Sequence, residues 1–321
     1  MRRITLPLSS WNLEGAQVQA LSGGTANANY RVKHKSGTFF LRQRSPRYIE
    51  SDQIAFDHGI MRHLTKHGII GPNPLPTREG TDTTATDDGV YELHRFVDGV
   101  PLDWNNPNHL AIAGKGLRTF HNAMADFSSS AQKGWPRDDS TEASRIGITE
   151  IRTIAGDPAH LRVLDELAEW CNRIDAALPD ADYWALPTCV IHGDFHPGNL
   201  MIVEDRLGLF DLDCASHQAK TRDLADAFLY VCARRDGSFD ASTIIQLTRE
   251  CRLEPERNRQ FLAAYGPITD AERAALPWLV AARWIHSRIH GRKKLPESEW
   301  LPYATEGVLT PLEELGQGTL M

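Results

Sequence analysis

Two short apolar runs held apart by a polar turn constrain this chain most. They lie in VIHGDFHPGNLMIVEDRLGLFDLD, Val190 to Asp213. The runs Asn199–Val203 and Leu207–Asp211 flank Glu204-Asp205-Arg206, and apolar strands around a short polar turn read as a β-hairpin. A symmetric three-residue turn predicts Val203 opposite Leu207 and Asn199 opposite Asp211. Directly opposed residues of an antiparallel pair have Cβ atoms about 4.5–5.5 Å apart. The pattern therefore predicts Asn199 and Asp211 side by side at the open end, with Asp194 delivered there by the turn His196-Pro197-Gly198. A carboxylate beside an amide oxygen is the hard-oxygen set that Mg²⁺ takes together with phosphates. Singly, Asp and Asn form turns and end strands everywhere. The ordered set His-Gly-Asp, an Asn five residues after that Asp and an Asp twelve further on is not expected by chance.

Around this hairpin the chain changes character. In the first hundred residues, Val18–Leu21, Tyr30/Val32 and Phe39/Leu41 alternate with a period of two, and Gly37 marks a turn. From about Glu50 to His67 the period becomes helical, with Phe56, Ile60, Met61 and Leu64 on one face and Gly68 as the stop. Val90–Val97 returns to strand and ends at Asp98-Gly99. Beyond Val100 the pattern is helical: Leu110, Leu117, Phe120 and Met124 share one stripe, and Leu161, Leu164, Leu167, Cys171 and Ile174 another. Further helical patterns cover about 222–235, 240–251, 255–265 and 270–290, and residues 128–144 read as an exposed loop. The expected fold is α+β in two lobes. A small β-rich lobe (1–97) with one helix precedes a larger helical lobe (98–321) that carries the hairpin.

Composition excludes several classes. With 35 Lys and Arg against 42 Asp and Glu, the formal net charge is −7, which gives a polyanion no general attraction. No nucleic-acid partner is expected. The five cysteines are odd in number and never spaced C-x-x-C, against a disulfide framework or structural zinc and in favour of a reducing compartment. No apolar run reaches the ~18 residues of a membrane span. The N-terminal apolar run is short and proline-broken, so a cytoplasmic protein without a membrane partner is expected. Oligomeric state is not legible.

The segment HGDFHPGN followed by FDLD resembles the aminoglycoside phosphotransferase/choline kinase group of small-molecule kinases, whose fold is protein-kinase-like. In the protein-kinase pattern H-R-D-L-x-x-x-N then D-F-G, the Asp-to-Asn spacing is the one found here, and DLD stands where DFG would. The resemblance implies a kinase that uses ATP and Mg²⁺ on a hydroxyl of a small molecule. It implies that Asp194 orients and deprotonates the attacking hydroxyl, while Asn199 and Asp211 hold Mg²⁺ on the nucleotide phosphates. His192 would support the catalytic loop, His196 would be structural or touch phosphate or substrate, and Asp213 would be a carboxylate beside the metal or one step behind its ligands. Asp223 in RDLADAF would anchor the loop.

The same resemblance assigns the N-terminal lobe. Ser22, Gly23, Gly24, Thr25 and Asn27 of SGGTANAN would cover the phosphates, although GxGxxG is absent. Arg42 would take the place of the phosphate-holding strand Lys, with Arg44 nearby; the helix residue to pair with it would be Asp57 or Gln53, four apart on one face. Backbone groups of His94–Phe96 would face adenine.

The acceptor is less legible. The segment ARWIHSRIHGRKK carries Arg283, Arg288, Arg292, Lys293 and Lys294 without an acid. Cations favoured at a helix C-terminus explain it; if part of it faced the cleft, a carboxylate-bearing acceptor would be favoured over a polycation. Trp104, Trp135 and Trp284 read as core, or as rings for a sugar or quaternary amine. An amino alcohol, homoserine-like acid or sugar is expected as acceptor. An aminoglycoside or other antibiotic is the alternative, and a non-catalytic nucleotide-binding regulator is the alternative of another class.

Overall fold

A computed structural model describes residues 6–21, 27–131, 133, 137, 140–235, 245–318 and 320–321. Strands β1 (Gln17–Leu21), β2 (Ala28–His34) and β3 (Gly37–Gln43) form a meander. Helix α1 (Ser51–Lys66) follows, then β4 (Thr83–Thr86) and β5 (Gly89–Arg95). The sheet order is β1-β2-β3-β5-β4, antiparallel throughout. Period-two alternation gives the sheet two unlike faces. Val32, Phe39, Leu41, Tyr91 and Leu93 bury one face under Trp11 and Leu13. The other carries Arg42, Arg44, Glu92 and His94, all buried. Helix α1 turns its apolar stripe of Phe56, Ile60, Met61 and Leu64 into the core of the helical part. Its Asp57 and His58 reach the sheet's polar face. Gly68, at φ +68°, stops the helix as expected.

The short strand β6 (Val100–Pro101) leads to α2 (Pro107–Met124), α3 (Thr141–Arg152), α4 (Pro158–Ala177) and α5 (Asp180–Ala185). Asn106, Ser140 and Asp157 cap α2, α3 and α4 with their side chains. The Ser140 cap starts α3 four residues inside the stretch expected to be loop. Strands β7 (Thr188–Ile191), β8 (Leu200–Val203), β9 (Arg206–Leu209) and β10 (Ser216–Ala219) come next. Then follow α6 (Thr221–Ala227), a π-helical turn Phe228–Cys232, α7 (Gln246–Arg249), α8 (Pro255–Tyr265), α9 (Asp270–Gly291), α10 (Trp300–Thr305) and α11 (Leu309–Gly316). Residues 236–244 lie outside the described residues, so α7 is what is described of the helix expected at 240–251. A capping box of Thr269 and Glu272 starts α9. This long helix packs on α3, α4 and α6 and passes behind the catalytic segment.

The hairpin β8–β9 forms, in a different register. Val203 pairs with Arg206 and Leu200 with Leu209. The turn is Glu204-Asp205 alone, with φ values of 48° and 60°; left-handed two-residue turns match the twist of the flanking strands. Asn199 therefore lies opposite Phe210, whose N–H donates to its carbonyl at 2.9 Å, and not opposite Asp211. Asp211 sits one residue past the pairing, in a left-handed conformation of φ 57° and ψ 71°. A non-glycine residue held there is uncommon; here it swings the Asp211 side chain off the strand face.

Candidate active site

Strand β7 ends at Ile191 and the chain enters the His-Gly-Asp loop; β10 pairs with β7 on the far side. Two rigid pairs of strands thus bracket residues 192–199 and 210–215. Asp223, fully buried at the start of α6, accepts from the N–H groups of His192 and Gly193 at 2.8 and 2.9 Å. His121 of α2 contacts the same carboxylate at 3.0 Å. Burial alone would raise the Asp223 pKa; the bonds from His121 and the two backbone donors lower it. Gly193 has φ +79°, and a Cβ there would stand 2.3 Å from the Cys214 carbonyl oxygen, so only glycine fits between the loop and the turn at 211–214. His192 bonds the Phe210 carbonyl through Nε2 at 3.0 Å.

The expected trio is assembled in part by direct contacts. Asn199 Nδ2 donates to the Asp194 carbonyl at 3.0 Å and carboxylate at 3.1 Å, leaving the amide oxygen as a donor for a metal. His196 Nε2 lies 3.2 Å from the Asp194 carboxylate. Burial opposes ionisation of Asp194, but the field of His196 wins and holds its pKa well below the usual range; reciprocally, Asp194 raises His196 against its burial. Asp211 gives Oδ1 to Arg42 at 2.9 Å while 39% of its side chain stays exposed. Burial and the neighbouring carboxylates Asp213 and Asp194 push the Asp211 pKa up against the pull of Arg42. A carboxylate disfavoured by like charges gains by meeting a cation. The donor set of an Asn oxygen and an open Asp therefore fits Mg²⁺, though the register shows it is built by the turn at Asp211 and not by cross-strand pairing.

The polar face of the sheet closes over this loop as a clasp. Arg42 bonds Asp211, Asp213 at 2.5 Å and Glu92 at 3.4 Å. Arg44 bonds Asp57 at 2.5 Å and Glu92 at 2.9 Å. The helix acid thus pairs with Arg44 and not with the expected Arg42. The reason is position on β3: Arg42 meets Asp211 and Asp213, while Arg44, two residues on, meets Asp57 of α1 and touches Asp213 only at 3.4 Å. Asp213, 4% exposed, serves these arginines rather than standing open beside Asp211. Asn27 also departs from its expected place over phosphates: it donates to Asp213 at 3.0 Å and accepts from the Ser45 N–H at 2.8 Å. Ser22, Gly23, Gly24, Thr25 and Trp135 lie outside the described residues. His94 places Nε2 3.3 Å from Glu92, and the Phe96 N–H is given to the Thr38 carbonyl at 3.2 Å.

Two members of the clasp escaped the sequence reading. Glu92 has no exposed side-chain surface and is shared by Arg42, Arg44, His58 and His94. Although burial opposes it, those partners hold its pKa well below the carboxylate range. Lys133, expected in an exposed loop, is buried; Nζ bonds Asp57 at 2.8 Å and also the Asp213 carbonyl. The signal for Glu92 was its even phase between Tyr91 and Leu93 in a strand with a buried face. Nothing in the spacing of Lys133 pointed to its partners.

Behind Asp194 stand residues of α6, the π turn and α9. Arg283 bonds Asp226 at 2.7 Å and is near enough to Asp194 to help lower its pKa. Burial raises Asp226 to about 6 against that pairing. The Tyr230 ring meets the His196 ring edge-on at 6.4 Å, and its hydroxyl bonds Ser287. The rest of the basic segment is structural. Arg288 donates to the carbonyls of Tyr303, Thr248, Arg249 and Glu306, and Arg292 and Lys293 face Glu150. Trp104 and Trp284 are core.

Residues 17–276 match the model of the phosphotransferase enzyme family. The chain belongs to this family. It is 30% identical over 286 residues to a homoserine kinase of Parvibaculum lavamentivorans, covering 85% of this chain and 79% of that one. An amicoumacin kinase in complex with AMP-PNP and Ca²⁺ superposes with a TM-score of 0.69 at 14% identity, covering 98% and 92% of the two chains. A choline kinase of Cryptosporidium parvum superposes with a TM-score of 0.63 at 13% identity, covering 96% and 92%. The fold is the two-part kinase-like one, a β-sheet region followed by a larger helical part. This phosphotransferase is an enzyme of the small-molecule kinase class that moves a phosphoryl group from ATP to a hydroxyl. None of its described helices is long and apolar enough to cross a membrane.

Proposed function

We propose that this phosphotransferase is a kinase of homoserine or a closely similar hydroxy amino acid, and that Asp194, Asn199 and Asp211 carry the transfer. The observation that carries the acceptor choice is the 30% identity to a homoserine kinase over 85% of the chain; Arg283, buried and paired with Asp226, adds a positive field behind Asp194. A cation there suits a carboxylate and repels a polycation. The homoserine kinase relatives support the same reading.

In this account Asp194, ionised at neutral pH, accepts the hydroxyl proton, and its bond to Asn199 sets its orientation. Asn199 and Asp211 hold Mg²⁺, which when bound neutralises the nucleotide phosphates. With Asp211 on that ion, Arg42 would keep Asp213 through Nη2, and the Nη2 hydrogen now given to Asp211 would be free for phosphate. Asp223 and His121 hold the loop in place, so positioning rather than covalent chemistry supplies the rate. The lobe boundary falls at 97–98, where the chain leaves β5 for β6. ATP use and five cysteines, none of them in a disulfide, suit the cytoplasm.

The test is ADP release with Mg-ATP across homoserine, choline, ethanolamine, sugars and aminoglycosides. Homoserine should give the highest kcat/KM. Arg283→Met, which removes the positive charge behind Asp194, should raise the KM for homoserine about 3- to 10-fold. It should leave the KM for 3-amino-1-propanol, which lacks the carboxylate, within about 3-fold. Faster turnover of an aminoglycoside or of choline overturns the acceptor assignment, and Mg-ATP binding without transfer to any acceptor overturns the catalytic one.

A further inference from the structure

The last turn of α1 places two imidazoles on one face, His63 and His67, four residues apart. His67 is the residue that ends the helix; the ring centroids are 4.5 Å apart. Two residues beyond the end of α2, Asp126 turns its carboxylate to both rings. Its Oδ1 lies 3.2 Å from His63 Nε2 and 3.9 Å from His67 Nε2. One donor atom from each residue falls within 4.8 Å of the others. Among the described residues this is the one group of three or more His, Cys, Asp or Glu side chains so arranged.

We propose that His63, His67 and Asp126 form a site for a zinc-class divalent ion, separate from the catalytic centre. A tetrahedral ion with bonds of about 2.0–2.1 Å sets its ligand atoms about 3.3 Å apart. The His63–Asp126 pair already has that spacing, and His67 needs only a small swing. It has the freedom to make it, because 40% of its side chain and 72% of that of Asp126 are exposed. His63 is held edge-on by Phe127 at 5.3 Å, and its Nε2, now bonded to the Ala123 carbonyl at 2.7 Å, must turn from that carbonyl toward Asp126 to meet the ion. Binding moves the Nε2 proton to Nδ1 or to solvent and exchanges that bond for the ion, a loss of about 1 kcal/mol against a coordinate bond. Two imidazoles and one carboxylate leave a fourth position for water. Such a donor set selects Zn²⁺, Co²⁺ or Ni²⁺ over Mg²⁺, which prefers oxygen.

Position gives the site a consequence. Helix α1 carries Asp57, which holds Arg44 and Lys133; α2 carries His121, which holds Asp223. An ion at the ends of these two helices ties the sheet side of the molecule to the helical part, and so stabilises the folded chain by mass action.

The experiment uses the full chain stripped with chelator and kept in excess Mg²⁺, so that the oxygen site is occupied. Zn²⁺ is titrated by competition with a fluorescent chelator, Co²⁺ is followed by its visible spectrum, and melting is recorded with and without Zn²⁺. One equivalent should bind, with a four-coordinate Co²⁺ spectrum and a raised Tm. His67→Ala and Asp126→Asn, both at exposed positions, should each weaken binding at least about 10-fold and remove the Tm rise. His290→Ala, in the other stacked pair of imidazoles (His286 and His290, 4.4 Å apart), should change neither. No stoichiometric binding, or binding unchanged in the His67 and Asp126 variants, overturns the proposal.

Discussion

The clasp on β3 and the loop around Asp194 meet at Asp211 and are built in opposite ways. In the clasp, Arg42 joins Asp213 across 171 positions, Asn27 joins it across 186 and Lys133 across 80. In the loop, Asn199 reaches Asp194 across five positions and the His196 N–H reaches the Asp194 carbonyl across two. The clasp is closed to solvent: Arg44, Asp57 and Glu92 have no exposed side-chain surface. The loop is open, with 37% of the Asp194 side chain and 39% of Asp211 exposed. Long-range buried charges tie distant elements together and fail expensively when broken. Local, open acids cost the fold little and remain available to substrate. The two regions therefore divide stability from chemistry, with Asp211 belonging to both.

The largest effect should fall on the clasp. Arg44→Met leaves buried Asp57 to Lys133 alone and takes the closest arginine from buried Glu92, so urea unfolding should show a loss of about 3–5 kcal/mol. A loss under about 1 kcal/mol would break the division at its first point. Asp211→Asn should do the reverse. Arg42 keeps Asp213 and Glu92, so Tm should hold, while kcat falls about 10²- to 10³-fold, with a weaker response to Mg²⁺. Equal damage to Tm and kcat would show that Asp211 is a structural member. Lys133→Met removes one of two cations on Asp57. It should destabilise by about 1–3 kcal/mol, less than Arg44→Met, and raise the KM for ATP by loosening Asp213 and through it Arg42.

The smallest effect is a titration. His196 has its pKa raised by Asp194, and Asp194 has its own lowered by His196. The His196 contribution is complete below its unfolded value near 6.5 and is lost as pH rises through the folded value. The Asp194 contribution is present above its unfolded value near 3.9 and is lost as pH falls through its folded one. The pair thus stabilises most between about pH 4 and 6.5. NMR titration should find His196 above the ordinary histidine value, and Asp194→Asn should bring it down. No downward movement in that variant would remove the ion pair from the loop.

What was legible follows the same division. The residues proposed as catalytic stand in one short segment, so their order in the chain carried the chemistry, and the resemblance of RDLADAF to the family's helix start pointed to Asp223. The period of two in β2, β3 and β5 gave the sheet faces, and the 3.6 period gave α1, α2 and α4. The hairpin register was missed by one residue, because Glu204 and Asp205 adopt left-handed conformations that neither residue advertises. The clasp was half seen: two arginines on one strand face were legible, but which acid each meets depends on how α1 and the turn at 211–214 dock. Lys133 was invisible, since a lone lysine in a polar stretch shows no period.

The account turns on Asp194, and one measurement tests it most directly. Steady-state kinetics of Asp194→Asn with Mg-ATP and homoserine should show kcat lower by about 10²- to 10⁴-fold, the usual contribution of a positioned base. Mg-ATP affinity and Tm should stay near those of the unaltered enzyme, because the amide keeps the size of the carboxylate in an open site. Turnover within about 3-fold of the unaltered enzyme would contradict the account, since no other base would then be needed at the hydroxyl.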